Sequence, residues 1–96
     1  MGIRIKQQNE TQKVKIKNPT GLHLRPAGIL CELAMNYKCK ITFKTDNHYE
    51  ANAKSVLGVL GAGVKSGEEI EICCDGIDES EALAAIITAV SNGLGE

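Results

Sequence analysis

Val14 and Ile16 alternate with Lys13, Lys15 and Lys17 in "QKVKIK", residues 12–17. A period of two with one charged face predicts a half-buried strand. The alternation returns in "CKITFKT", 39–45, where Cys39, Ile41 and Phe43 face inward and Lys40, Thr42 and Lys44 outward. It returns again in "EEIEICC", 68–74, with Ile70, Ile72 and Cys74 on one face and Glu69, Glu71 and Cys73 on the other. "DNH", 46–48, predicts a tight turn into a short strand around 49–52.

Helical spacing governs the segments between. From Leu24 onward, Ala27, Leu30, Leu33 and Ala34 fall on one stripe. Pro26 suits the first turn, where a missing N–H breaks no bond, and the helix fades near Asn36. "KSVLGVLGAG", 54–63, predicts a short helix with Ser55 as its N-cap, limited by Gly58 and ended by Gly61 or Gly63. "DESEALAAIITAVSNG", 78–93, predicts a longer one. Asp78 and Glu81 give it a capping-box-like start, Leu83, Ile86, Ile87 and Val90 form its buried stripe, and Gly93 caps its end. Residues 1–11, "MGIRIKQQNET", read as a loose N-terminal extension before one domain over 12–96. The order is βαββαβα. Strands with one polar face require a single sheet with helices on the other side, a two-layer α+β domain.

Composition narrows the core. Of 96 residues 43% are apolar, with no Trp and one Phe, so Ile, Val, Leu, Ala and Cys must fill the interior. No apolar run approaches the ~20 residues needed to cross a bilayer. The polar start lacks the apolar region of a signal peptide, and Lys6 stands where a myristoylation motif has Ser or Thr. A cytoplasmic protein with reduced thiols is expected. Net charge is −1 but unevenly spread. All eleven bases lie in positions 1–65, and positions 66–96 hold eight acids and no base. Acidic and basic segments that end up adjacent would account for the split; steering of a charged partner is the other reading.

Most familiar chemistries find no support. The four cysteines and two histidines form no C-x-x-C and no H-x-x-x-H, so no metal site is expected. There is no G-x-S-x-G elbow and no G-x-G-x-x-G after a strand. "GVLG", 58–61, has the spacing of an RNA-clamping GXXG loop. Val59 and Leu60 replace the basic residues such a loop carries, so nucleic acid is not expected as a partner.

His23 is different. It precedes a helix by one residue, where free N–H groups and the helix dipole favour an anion. Arg25 adds a permanent charge and a planar set of donors suited to phosphate. A ring that gains a phosphoryl group becomes an anion at a place built for anions.

"GLHLRPA", 21–27, resembles the active-site signature of the HPr family, the histidine-containing phosphocarriers of the bacterial phosphoenolpyruvate:sugar phosphotransferase system. "AKSVLGVLGAGV", 53–64, is similar to the family's regulatory serine segment in its Gram-positive form. "GIDESEALAAI", 76–86, and "GLGE", 93–96, are similar to its C-terminal part. The resemblance spans about 12–96 and keeps the family's order.

It implies an open-faced β-sandwich, a four-stranded antiparallel sheet covered on one side by three helices. It implies that His23 takes a phosphoryl group on Nδ1 from Enzyme I and passes it to EIIA domains, with Arg25 stabilising the group. The protein would then be a carrier rather than a turnover enzyme, with no cofactor. Ser55 matches the serine phosphorylated by HPr kinase/phosphorylase, and that form pairs with a LacI-type catabolite repressor. Leu24, Val56, Leu57 and Leu60 match an apolar docking patch beside the histidine, ringed by Lys54 and Arg25. A monomer without stable membrane association is expected. The alternative is an HPr-like regulatory module acting mainly through Ser55, a role in which His23 would have no use. The sequence departs from the family in its long lead-in, in the bulk of Leu24 and in its cysteine content.

Overall fold

The computed structural model describes residues 10–96. They form β1 (Glu10–Lys15), α1 (Leu24–Ala34), β2 (Lys40–Lys44), β3 (Glu50–Asn52), α2 (Val56–Gly61), β4 (Glu69–Asp75) and α3 (Glu79–Ser91). The four strands make one antiparallel sheet in the order β1-β4-β2-β3, with three helices over one face. This is the expected βαββαβα open-faced sandwich.

β1 begins earlier than its alternation suggests. Glu10 and Thr11, read as lead-in, pair with Cys74 and Cys73 of β4. Backbone pairing extends the strand where side-chain pattern carries no signal. The rest of the expected lead-in lies outside the described residues.

Inward faces match the alternation. Ile16, Cys39, Ile41, Phe43, Ile70, Ile72 and Cys74 are all buried. Burying a large apolar side chain fully contributes about 1.5–3 kcal/mol. Thr42 departs from expectation: it sits on the polar face yet is buried, because its central strand places it between Asn52 and Cys73. The uneven charge resolves here too. Lys13 lies opposite Glu71, Lys15 opposite Glu69 and Lys40 opposite Asp75. Like charges never face each other across these pairs, and opposite ones contribute favourably.

α1 buries Pro26, Ala27, Leu30 and Ala34; Leu33 is half-buried. α3 buries Ala82, Leu83, Ile86 and Val90, with Ile87 half-buried against the core. Its start differs from the expected capping box. Asp78 is the N-cap residue but makes no side-chain cap bond. Its carboxylate instead accepts from the N–H of Lys38 at 2.8 Å and of Cys39 at 2.9 Å, tying α3 to the approach to β2. At the other end Gly93 N–H donates to the Val90 carbonyl and Leu94 N–H to Ala89, the double bond pattern of a Schellman stop.

α2 runs through Gly58 and ends at Gly61, so Gly58 does not limit it. Six residues are too few for a helix to stand alone. Val59 is buried, and packing against α1 and β3 holds the helix in place.

Candidate functional site

The site grows from the turn between β1 and α1. Gly21 N–H donates to the Asn18 carbonyl at 2.9 Å. Gly21 has φ +68, and a Cβ there would lie 2.3 Å from the Val64 carbonyl oxygen, so only glycine fits. Leu22 follows, buried, with its N–H donating to that Val64 oxygen at 3.0 Å. The chain is thus pinned immediately before it surfaces.

His23 is the first exposed residue after the pin. It is the N-cap of α1, with extended backbone at φ −75 and ψ −176, and its carbonyl accepts from Ala27 N–H at 2.9 Å. Its side chain makes no cap bond. The imidazole is therefore not used in holding the helix end. By helix geometry the amides of Leu24 and Arg25 have no partner within the helix, and Pro26 has no N–H to offer. Arg25 is exposed beside them, Leu24 is 59% exposed, and Pro26 is buried as an anchor under the turn.

Ser55 caps α2, its Oγ accepting from Gly58 N–H at 3.0 Å. Leu57 projects from α2 at 81% exposure, Val56 and Leu60 are half-buried, and α2 packs on α1. Of these three, Leu57 is the one that stays exposed. Lys54 directly precedes Ser55 and Val56. Its Nζ donates to the Tyr37 carbonyl at 2.6 Å, just past the C-terminal end of α1. An α-helix rises 1.5 Å per residue, so that position is roughly 16 Å or more from the His23 end.

Cys39 and Cys74 are buried and Cys31 and Cys73 half-buried, all as free thiols. Among the described residues no three His, Cys, Asp or Glu side chains group to hold a metal. His23 is exposed on the described surface, at the mouth of α1.

An exposed, unengaged imidazole at a helix mouth is the feature that known proteins can be compared with. The family model described as "PTS HPr component phosphorylation site" matches residues 10–92. The chain belongs to the HPr family. The HPr phosphocarrier of Mycoplasma genitalium is 41% identical over 71 residues, which is 74% of this chain and 81% of that protein. The phosphocarrier NPr of Klebsiella oxytoca is 40% identical over 85 residues, 88% of this chain and 94% of that protein. Among solved structures, HPr from Thermoanaerobacter tengcongensis superposes with a TM-score of 0.85 at 34% identity, covering 91% of this chain and 97% of that one. The HPr fold and the phosphocarrier role within the phosphotransferase system follow. Among the described residues no helix is long and apolar enough to cross a membrane.

Sequence reasoning passed over two contributors to this HPr loop. Asn18, in the "NPTG" stretch whose residue types predict a turn, is 2% exposed and bonded to Gly93 and Glu96. Val64 reads as a residue after a helix and is the backbone acceptor that seats Gly21 and Leu22. The only sequence signal for either is the glycine itself, which marks a close approach without saying to what.

Proposed function

We propose that this HPr-family protein accepts a phosphoryl group on His23 Nδ1 from Enzyme I and delivers it to EIIA domains. The observation that carries the reading is the exposure of His23 at the N-cap of α1 with its side chain uncommitted to the cap. The ring nitrogen's lone pair attacks phosphorus, a P–N bond forms and the donor's bond to phosphorus breaks. The product carries the dianionic charge of the transferred group. The free amides of Leu24 and Arg25, the α1 dipole and the Arg25 guanidinium offset that charge. No water, metal or cofactor is required to balance the step. Delivery is the same displacement in reverse, onto the acceptor's nucleophile.

Ser55 is the second modification site in this reading, phosphorylated by HPr kinase/phosphorylase. A phosphoryl group there adds about −1.5 to −2 of charge. That charge sits next to Val56 and Leu57, where Enzyme I and EIIA domains would dock with Leu24, Val56, Leu57 and Leu60. It weakens docking of an acidic partner and creates a surface for a LacI-type repressor. The protein works as a cytoplasmic monomer.

Incubation with Enzyme I and phosphoenolpyruvate gives an acid-labile phosphate on the wild type and none on His23→Ala. Equal labelling of the two would falsify the carrier reading. With HPr kinase and ATP an acid-stable phosphate is expected, absent from Ser55→Ala. A protein that takes the serine phosphate but never the histidine phosphate would be a regulatory module instead.

A further inference from the structure

Asn18 lies in the turn that leads to His23, and it is 2% exposed. Its Nδ2 donates to the Gly93 carbonyl at 2.7 Å and to Glu96 Oε1 at 2.9 Å. Its Oδ1 is buried without a hydrogen-bond partner among the described residues. Burial of an unsatisfied oxygen is unfavourable, so the amide is not there to fill space. What it contributes is the pair of donors, and both reach across the fold to the chain's far end.

That far end is itself fixed. Leu94 is 1% exposed and held at φ +48, a left-handed conformation uncommon for a residue with a side chain. Gly95 packs on α1 so closely that a Cβ would come 2.7 Å from Ile29 Cδ1. The segment after α3 is therefore a strap seated on α1. Asn18 fastens the strap from one side, while its own carbonyl accepts from Gly21 N–H and so begins the turn that Val64 seats. One residue joins the end of α3, the strap and the loop before His23.

We propose that Asn18 is a positioning residue for phosphoryl transfer: by fastening the His23 loop to Gly93 and Glu96, it holds His23 in its extended cap geometry at the mouth of α1. The proposal rests on the reading of His23 as the acceptor. Asn18 touches neither the ring nor the phosphoryl group. Its effect is on how often the ring is presented correctly, and alignment of reacting groups is worth orders of magnitude in rate.

The experiment measures Enzyme I-dependent phosphorylation of the full chain, with amide hydrogen exchange in parallel. Asn18→Ala should lower kcat about tenfold and leave KM for Enzyme I within about twofold, because the apolar docking residues are untouched. The Leu22 amide should exchange at least about tenfold faster while the Ala34 amide in α1 is unchanged. Asn18→Asp has the same size but, when ionised, no donor, and it sets a second carboxylate against Glu96. Like charge and burial raise a carboxyl's pKa, so this variant should be impaired at pH 8 and recover toward wild type as pH falls to 6. Glu96→Ala should show a smaller kcat loss that Glu96→Gln, which keeps the acceptor oxygen, restores. A wild-type kcat and unchanged Leu22 exchange in Asn18→Ala overturn the proposal and leave the carrier reading intact. Failure to label His23 in the wild type overturns the carrier reading and the proposal with it. If Asn18→Ala does not fold, the Asn18→Asp profile decides, and a flat ratio to wild type between pH 6 and 8 refutes the role.

Discussion

Gly21 and Val64 meet backbone to backbone, with the Val64 carbonyl oxygen 2.3 Å from where a Gly21 Cβ would stand. That oxygen also accepts from Leu22 N–H, so any retreat of Val64 breaks the bond that seats the His23 loop. Gly21→Ala is expected to cost at least about 2 kcal/mol, combining left-handed strain with overpacking. A denaturant midpoint unchanged from wild type would contradict this contact.

Leu57 tests the docking face separately from the fold. At 81% exposure its replacement by Glu should alter stability by no more than about 0.5 kcal/mol. If Leu57 sits in the Enzyme I interface, KM should rise about tenfold, equivalent to roughly 1.4 kcal/mol. An unchanged KM would place the interface elsewhere.

Lys54 gives the opposite pattern. Its 2.6 Å bond to the Tyr37 carbonyl is structural. Lys54→Met should lose about 1 kcal/mol of stability and leave kinetics with Enzyme I unaltered. A kinetic defect without a stability change would place Lys54 in the docking ring.

Asp78 sets an acid limit. Hydrogen bonds from the N–H of Lys38, then of Cys39, hold its carboxyl below the usual carboxylate range. A folded-state pKa below the unfolded one means the stabilisation is complete above the unfolded value. It is lost as pH falls through the folded one. Thermal midpoints should drop on acidification below about pH 4, and Asp78→Asn should drop less steeply over the same range. Parallel curves for the two proteins would refute the assignment.

Cys39 and Cys74 set an alkaline limit. Burial pushes the Cys39 thiol up to about 11 and Cys74 up to about 12. Unfolded thiols ionise near 8.5, so this stabilisation is whole below that value and declines as pH rises toward 11. At pH 8 an aromatic disulfide reagent should modify Cys31 and Cys73, the half-buried pair. Cys39 and Cys74 should react only on unfolding. Rapid titration of all four thiols in the native protein would contradict their burial.

Where burial acts on alternate residues, the pattern was readable in advance. Phe43, Ile41, Ile70 and Ile72 were assigned to the core face and lie there. The same holds for Ser55, because a cap is a local device whose partner, Gly58, is three residues away. What escaped reading depends on partners distant in the chain. Asp78 carries the residue type of a cap but serves Lys38 and Cys39, forty positions back. Lys54 has the composition of a surface charge, yet the Tyr37 carbonyl of the loop after α1, brought near by packing, captures it. Thr42 obeys the alternation and is buried all the same, since neighbouring strands close over it. In each case local chemistry set the type of bond, and topology chose its partner.

The turn before His23 is assembled from late-encoded pieces: Val64 beneath it, and Gly93 and Glu96 beside it. A nascent chain that stops short of residue 93 has none of the C-terminal supports. It therefore lacks the bonds that fasten the turn before His23.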